Sequence, residues 1–410
     1  MSERRESQKV EETAKKPKIE AEMDTRKISD AVWQQIFRFL SMEDIKLNVA
    51  RVCKHFYEIS NDSVQEATIF SRNIASDKMY QMFDTLASFR YLKTINIVGM
   101  TNNYQIVELY AMHAFRNCPR LKILRIKDFN MSVGFMKYIV THGENLVGLE
   151  LDFIMIQNTS DILSPFSTGM KNLKHLRLQN LKQSMYKTED LLALVQNCEV
   201  LEILHLDECV TDDITGKLIN LKKEKLKDIK INREFIGGSG KWIEQLLHCP
   251  KLEFVSVLGV PITKLGFEAI SVLKNLKYLD LRSDIENPYN VDDIIKIFSN
   301  GKFKNLKTLR VSRFKGPIEA LLMSASFACQ NLQYLDLYCS NDTRKYFPKN
   351  IIKVLFDILT KLRELQLVWI VGEEDDVNPI FVISELLEIN RNFKVEISEH
   401  DDMIKIKREI

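Results

Sequence analysis

Three apolar residues at offsets one, four and six recur along most of this chain, as in Leu201-Glu202-Ile203-Leu204-His205-Leu206. The spacing appears eleven times, from Leu92/Ile95/Ile97 to Leu362/Leu365/Leu367, and Val64/Ala67/Ile69 is a degenerate earlier copy. First residues lie 24 to 30 apart and 27 on average. A period this long marks a solenoid, in which each unit buries its apolar face on its neighbours. The end of each motif has period two. Leu204 and Leu206 therefore point one way, and Ile203, His205 and Asp207 the other, as in a short strand. Parallel strands need a crossover, and helices are predicted at Tyr186 to Cys198, Thr263 to Leu273, Asn290 to Ser299 and Pro348 to Thr360. Twelve strands spaced about 4.8 Å apart give an arc of roughly 50 Å. Helices are wider than strands, so the expected fold is an α/β horseshoe solenoid of about twelve repeats, with a parallel concave sheet and convex helices.

The pattern stops at both ends. Residues 1–26 hold almost no large apolar groups and are expected to form a disordered tail. Within it, Lys15-Lys16-Pro17-Lys18 reads as a solvated charge run ahead of an import signal. Residues 27–62 form a separate module. Asp30 is placed to cap a helix whose apolar face holds Val32, Trp33, Ile36, Phe37 and Leu40. Ser41 and Asp44 open a second helix bearing Ile45, Val49 and Val52, with Phe56, Tyr57 and Ile59 extending the apolar set. About 35 residues are too few for a stable core, so these helices should dock on the N-terminal end of the array. The repeats occupy 63–390. In 391–410, Phe393, Val395 and Ile397 alternate as one last capping strand, followed by a tail.

Composition narrows the class. Apolar residues make up 45% and charged residues 28%, and 58 basic against 56 acidic side chains leave a net charge of +2. That balance gives no general field for nucleic acid or an anionic membrane. The N-terminus shows no secretory segment, and no apolar run is long enough for a bilayer. Seven cysteines without a Cys-x-x-Cys argue against disulfides or zinc and for a reducing compartment, cytosol or nucleus. Cys118, Cys198, Cys249 and Cys329 each precede a repeat's first leucine by three residues, the place of a small buried hydrophobe.

A catalytic constellation is not found. Gly237-Gly238-Ser239-Gly240-Lys241 has Phe235 and Trp242 where a phosphate loop needs Gly and Ser or Thr, so it reads as a flexible turn before a helix carrying Trp242, Leu246 and Leu247. His175 and His205 fall on adjacent outward positions but lack a third metal ligand. No cofactor is implied.

The surface is more telling. Offsets three, five and seven should face solvent on the concave side. Offset five is polar with both signs, which suits a protein partner. Aromatic residues gather at offsets three and seven of the later repeats, Leu258 among them, flanked by charges as in an interaction hot spot. The candidate partner-binding residues are Arg177, His205, Lys230, Phe254, Tyr278, Asp280, Arg282, Arg310, Tyr334, Asp336 and Tyr338. Glu373-Glu374-Asp375-Asp376 reads equally as a solvated turn or a contact for a basic partner.

Ile28-Ser29-Asp30-Ala31-Val32-Trp33-Gln34-Gln35-Ile36-Phe37-Arg38-Phe39-Leu40, closing on Val52-Cys53-Lys54-His55-Phe56, resembles an F-box. Ile28 stands where the family has Leu, and Ser29 where it usually has Pro. An F-box followed by leucine-rich repeats is a common architecture of that family. The resemblance implies docking on the Skp adaptor of a Skp–cullin–F-box ubiquitin ligase through Ile28, Ser29, Val32, Ile36, Leu40, Val52 and Phe56. It also implies a protein substrate held by the leucine-rich-repeat horseshoe, and a non-catalytic role. A scaffold or inhibitor acting outside a ligase is the second reading.

Overall fold

The computed structural model describes residues 29–37, 64–70, 89, 91–99, 104–156, 161–233, 238–283, 287–300, 303–339, 364–369, 393–398 and 403–408. The chain divides into two units, Met1–Ser63 and Val64–Ile410. In the first, helix α1 spans Asp30–Phe37. The amides of Val32 and Trp33 donate to the Ser29 carbonyl at 2.9 and 3.1 Å. Ser29 therefore holds the cap position expected of Asp30, whose carboxylate instead lies in the first turn, where the helix dipole favours it. The expected second helix, the 1–26 tail and the helix at Pro348 to Thr360 lie outside the described residues.

The second unit is the repeat array. Its strands are β1 (Glu66–Phe70), β2 (Thr94–Val98), β3 (Ile123–Lys127), β4 (Gly148–Asp152), β5 (His175–Gln179) and β6 (Ile203–Asp207). They continue as β7 (Asp228–Asn232), β8 (Phe254–Leu258), β9 (Tyr278–Arg282), β10 (Thr308–Lys315), β11 (Tyr334–Cys339) and β12 (Glu364–Trp369). Each pairs parallel with the next, in the register the motif dictates: Leu204 lies opposite Leu176 and Ile229. The inward file Leu176, Leu204, Ile229, Val255, Leu279 and Leu309 is fully buried. Each such side chain contributes about 1.5–3 kcal/mol.

The return segments are α2 (Tyr104–Asn117), α3 (Val133–His142), α4 (Thr188–Asn197), α5 (Asp212–Lys222), α6 (Lys264–Ser271), α7 (Val291–Asn300) and α8 (Ile318–Ala328). Two capping residues show how a helix start is fixed. Thr263 accepts from the Gly266 amide at 3.0 Å and donates to Glu244 Oε1 at 2.8 Å. Ser132 accepts from the Phe135 amide at 3.1 Å and donates to Glu108 Oε2 at 2.6 Å. Between α5 and α6 the return is the 3-10 helix Lys241–His248 rather than an α-helix. The turn before it uses up residues. Eight residues rising 2.0 Å each span about 16 Å, as eleven α-helical residues do. Trp242 and Leu246 point inward, and Leu247 is exposed.

The turn itself is pinned rather than flexible. Asp212 Oδ2 accepts from Ser239 N, Ser239 Oγ and Gly240 N at 2.5, 2.6 and 2.9 Å, and Asp212 Oδ1 meets the buried Arg233 guanidinium. Gly240 has φ 69°, and a Cβ there would meet the Pro261 carbonyl. Amides that resemble a phosphate cradle in sequence bind the protein's own carboxylate.

At the C-terminus, β13 (Phe393–Ser398) is followed by β14 (Met403–Arg408). The two form an antiparallel hairpin, and β14 lies between β12 and β13. The expected tail thus contains a strand. Ile404 and Ile406 pair in register with Leu367 and Leu365.

Candidate interaction surface

Parallel register sets the offset-five residues in one file: Arg125, Glu150, Arg177, His205, Lys230, Ser256, Asp280, Arg310 and Asp336 lie on successive strands. Neighbours in this file are one strand spacing apart, close enough to pair.

From β1 to β7 the file is an ion ladder. Arg125 Nε donates to Glu150 Oε1 at 2.9 Å and Arg125 Nη1 to Glu66 Oε1 at 3.1 Å. The Glu150 bond is the main cause holding the Arg125 guanidinium above its usual range. Arg177 and Lys230 both reach Asp207 Oδ2, each at 3.5 Å. His205 Nε2 lies 3.0 Å from Asp228 Oδ1. The His175 and His205 rings meet edge-on with centroids 5.4 Å apart. Burial lowers the His175 pKa, opposed by Glu150 and reinforced by His205. A recess of about 330 Å³ lies over this part, lined by Asn96, Arg125, Glu150 and Arg177 among others. Exposed pairs of this kind contribute about 0–1 kcal/mol each, so the ladder fixes side-chain positions more than it stabilises the fold.

From β8 to β11 the face becomes aromatic. Phe254 and Tyr334 are each 40% exposed. Phe254 and Tyr278 have centroids 6.1 Å apart, and the Arg310 guanidinium lies 5.7 Å from the Tyr278 centroid. Arg310 Nη1 donates to the Tyr278 hydroxyl at 3.0 Å, and that hydroxyl donates to Asp280 Oδ2 at 3.3 Å. Burial, then the Asp280 carboxylate, push the Tyr278 phenol up, so it stays protonated. Arg282 clasps Asp280 through Nε and Nη2 at 3.2 and 3.1 Å, and Arg310 Nε is 3.5 Å from Asp336.

This corrects the reading that every offset-five and offset-seven residue faces solvent. Asp280 and Asp207 are each 2% exposed, Ser256 is 8% and Leu258 is 9%. Short side chains in the file lie beneath longer neighbours: Tyr278 and Arg282 cover Asp280. Asp280 therefore orients the patch instead of touching a partner. The acids Glu150, Asp207 and Asp228 were not singled out from sequence. Their signal was an acidic residue at offset three, five or seven facing a cation one repeat away. Of Tyr338 only the backbone is described, in register with Ser312.

On α1, Val32 and Ile36 are 48% and 42% exposed and lie one turn apart, forming a small uncovered apolar strip beside Ser29. Ile28, Leu40, Val52 and Phe56 lie outside the described residues. Residues 27–64 match the F-box domain. The chain therefore carries an F-box domain ahead of its leucine-repeat array. Its fold is similar to that in the crystal structure of the Rad7 and Elc1 complex in yeast, with a TM-score of 0.54, 16% identity, and 83% of this chain and 88% of that chain covered. Other similar structures are an internalin (inlF) of Listeria monocytogenes (TM-score 0.41, 13% identity, 81% and 94% covered) and the leucine-rich repeat-containing protein LegL7 of Legionella pneumophila (0.42, 14%, 80% and 98%). Comparison with curated proteins gives no match.

The five described cysteines are buried. Burial pushes the thiols of Cys118, Cys198 and Cys249 up to about 11, 12 and 12, and those of Cys209 and Cys329 higher still. Buried protonated thiols are packing groups, not nucleophiles. Among the described residues no group of three His, Cys, Asp or Glu could hold a metal ion.

Proposed function

We propose that the chain is the substrate-recognition subunit of a Skp–cullin–F-box ubiquitin ligase. The F-box binds the Skp-type adaptor, and the concave face of the repeats binds a protein substrate. The observation that carries this reading is the F-box match at 27–64, joined directly to a repeat array whose concave face ends in an exposed aromatic and arginine patch. Exposed Val32 and Ile36 on α1 supply apolar surface for the adaptor. Positioning is the mechanism: the solenoid holds a target near the conjugating enzyme and so raises its effective concentration.

The test is co-purification. The full chain and its Val32→Asp/Ile36→Asp variant are captured from cells and probed for the Skp adaptor and the cullin. Wild type should retain both and the variant neither, while both melt alike because the two side chains are exposed. Wild type that retains neither partner contradicts the ligase reading.

A further inference from the structure

The aromatic patch shares its repeats with a basic rim. The rim is the short stretch between each return helix and the strand that follows it. Asparagine side chains stack one rim on the next: Asn275 Nδ2 donates to the Pro250 carbonyl at 2.9 Å, Asn305 to Lys274 at 3.3 Å and Asn331 to Lys304 at 2.5 Å. The backbone continues the file, with the Lys277 amide on the Glu253 carbonyl at 2.7 Å and the Lys307 amide on the Lys277 carbonyl at 2.8 Å. Successive rims are therefore about 5 Å apart.

Before β8, β9 and β10 the charged rim residues among those described are Lys251, Lys274, Lys277, Lys304, Lys307 and a single acid, Glu253. Lys277 is held by Glu253 at 2.6 Å. Lys251, Lys274, Lys304 and Lys307 are exposed and make no ion pair among the described residues. Before β6 and β7 the rim is different. The rim before β6 holds Glu199 and Glu202 and no lysine, Glu224 lies between Lys223 and Lys225 before β7, and Lys227 pairs with Glu202 at 3.1 Å. Inside the patch, Arg282 and Arg310 are already committed to Asp280 and Asp336. The patch is thus aromatic and internally balanced, while the rim beside it carries four exposed lysines that make no ion pair among the described residues.

We propose that these repeats take an acidic segment of a protein partner, with carboxylates along the Lys251, Lys274, Lys304 and Lys307 rim and an apolar side chain against Phe254 and Tyr334. The inference rests on the concave-face reading above and specifies its substrate class. Nucleic acid fits less well, because a peptide can confine its carboxylates to the rim and set an apolar side chain on the patch, whereas a phosphate backbone carries a charge at every nucleotide.

A displayed pool of random dodecapeptides is panned on three full-length proteins: wild type, Lys274→Glu/Lys304→Glu/Lys307→Glu, and Phe254→Ala/Tyr334→Ala. Wild type should enrich peptides rich in Asp and Glu with an aromatic or aliphatic residue. A synthetic peptide of the enriched sequence should bind the lysine variant at least about tenfold more weakly at low salt, and its binding to wild type should weaken as salt rises. All three proteins should melt alike, since every replaced side chain is at least 40% exposed or lies on the rim. Enriched peptides without acidic bias that still need Phe254 and Tyr334 overturn this inference and leave the concave-face reading standing. Enrichment indifferent to both variants, or none at all, overturns both. An oligothymidylate probe bound as tightly as the acidic peptide, and lost in the lysine variant, also overturns it, in favour of nucleic acid.

Discussion

Leu204 and His205 are neighbours in β6 with opposite surroundings. Leu204 is fully buried between Leu176 and Ile229, whereas His205 faces Asp228 across the concave surface. Leu204→Asp should lower stability by several kcal/mol, because it buries a charge among apolar groups. His205→Gln should stay within about 0.5 kcal/mol of wild type. His205→Asp is not the neutral change that an outward position suggests, since it sets a second carboxylate against Asp228; a loss of about 1 kcal/mol is expected. Urea unfolding of the three variants checks the register, and equal midpoints for Leu204→Asp and His205→Gln would refute it. Alternation told which side each residue takes. It could not tell that Asp207 and Asp280 sink below longer neighbours, because depth depends on the side chains one repeat away. The same burial gives a pH dependence. The His175 pKa is lowered in the folded state from its usual 6.5, so its stabilising share is present above about 6.5 and lost as pH falls through the lower folded value. The melting temperature should fall from pH 7.5 to pH 5 by more in wild type than in His175→Gln. An identical fall contradicts that assignment.

At the scale of elements, the strands were legible because a single motif repeats, and even the degenerate Val64/Ala67/Ile69 copy forms β1. The return segments were legible as connections but not as helix types. The 3-10 form of Lys241–His248 depends on how many residues the preceding turn consumes, which no local pattern shows. The C-terminal hairpin was half legible. Ile404 and Ile406 alternate in sequence, but only pairing with β12 places β14 ahead of β13. The pinned turn makes an element-level prediction. Asp212→Ala leaves the Arg233 guanidinium buried without its carboxylate and releases the Ser239 and Gly240 amides. The cost should be about 3–5 kcal/mol, and Asp212→Ala/Arg233→Met should recover part of it. Hydrogen exchange across 238–248 should quicken in the single variant, and unchanged protection would show that the clamp is not what holds this turn.

For the whole molecule, the repeats explain the fold, and in the proposed function the residues between the leucines carry the specificity. In that proposal the F-box residues decide what happens to the bound protein. Sequence reached this division because the two parts differ in pattern: one repeats and the other does not. It could not reach the side-chain network of the concave face, which joins residues 23 to 59 positions apart. If the two parts act as one receptor, a protein captured by the concave face should be degraded through the F-box. The most direct measurement is the half-life of proteins that co-purify with wild type and are lost with Phe254→Ala/Tyr334→Ala, followed in cells carrying wild type or Val32→Asp/Ile36→Asp. Those proteins should be short-lived with wild type and persist with either variant. Captured proteins whose half-lives do not change with Val32→Asp/Ile36→Asp would contradict the assignment of this chain as a ligase substrate receptor.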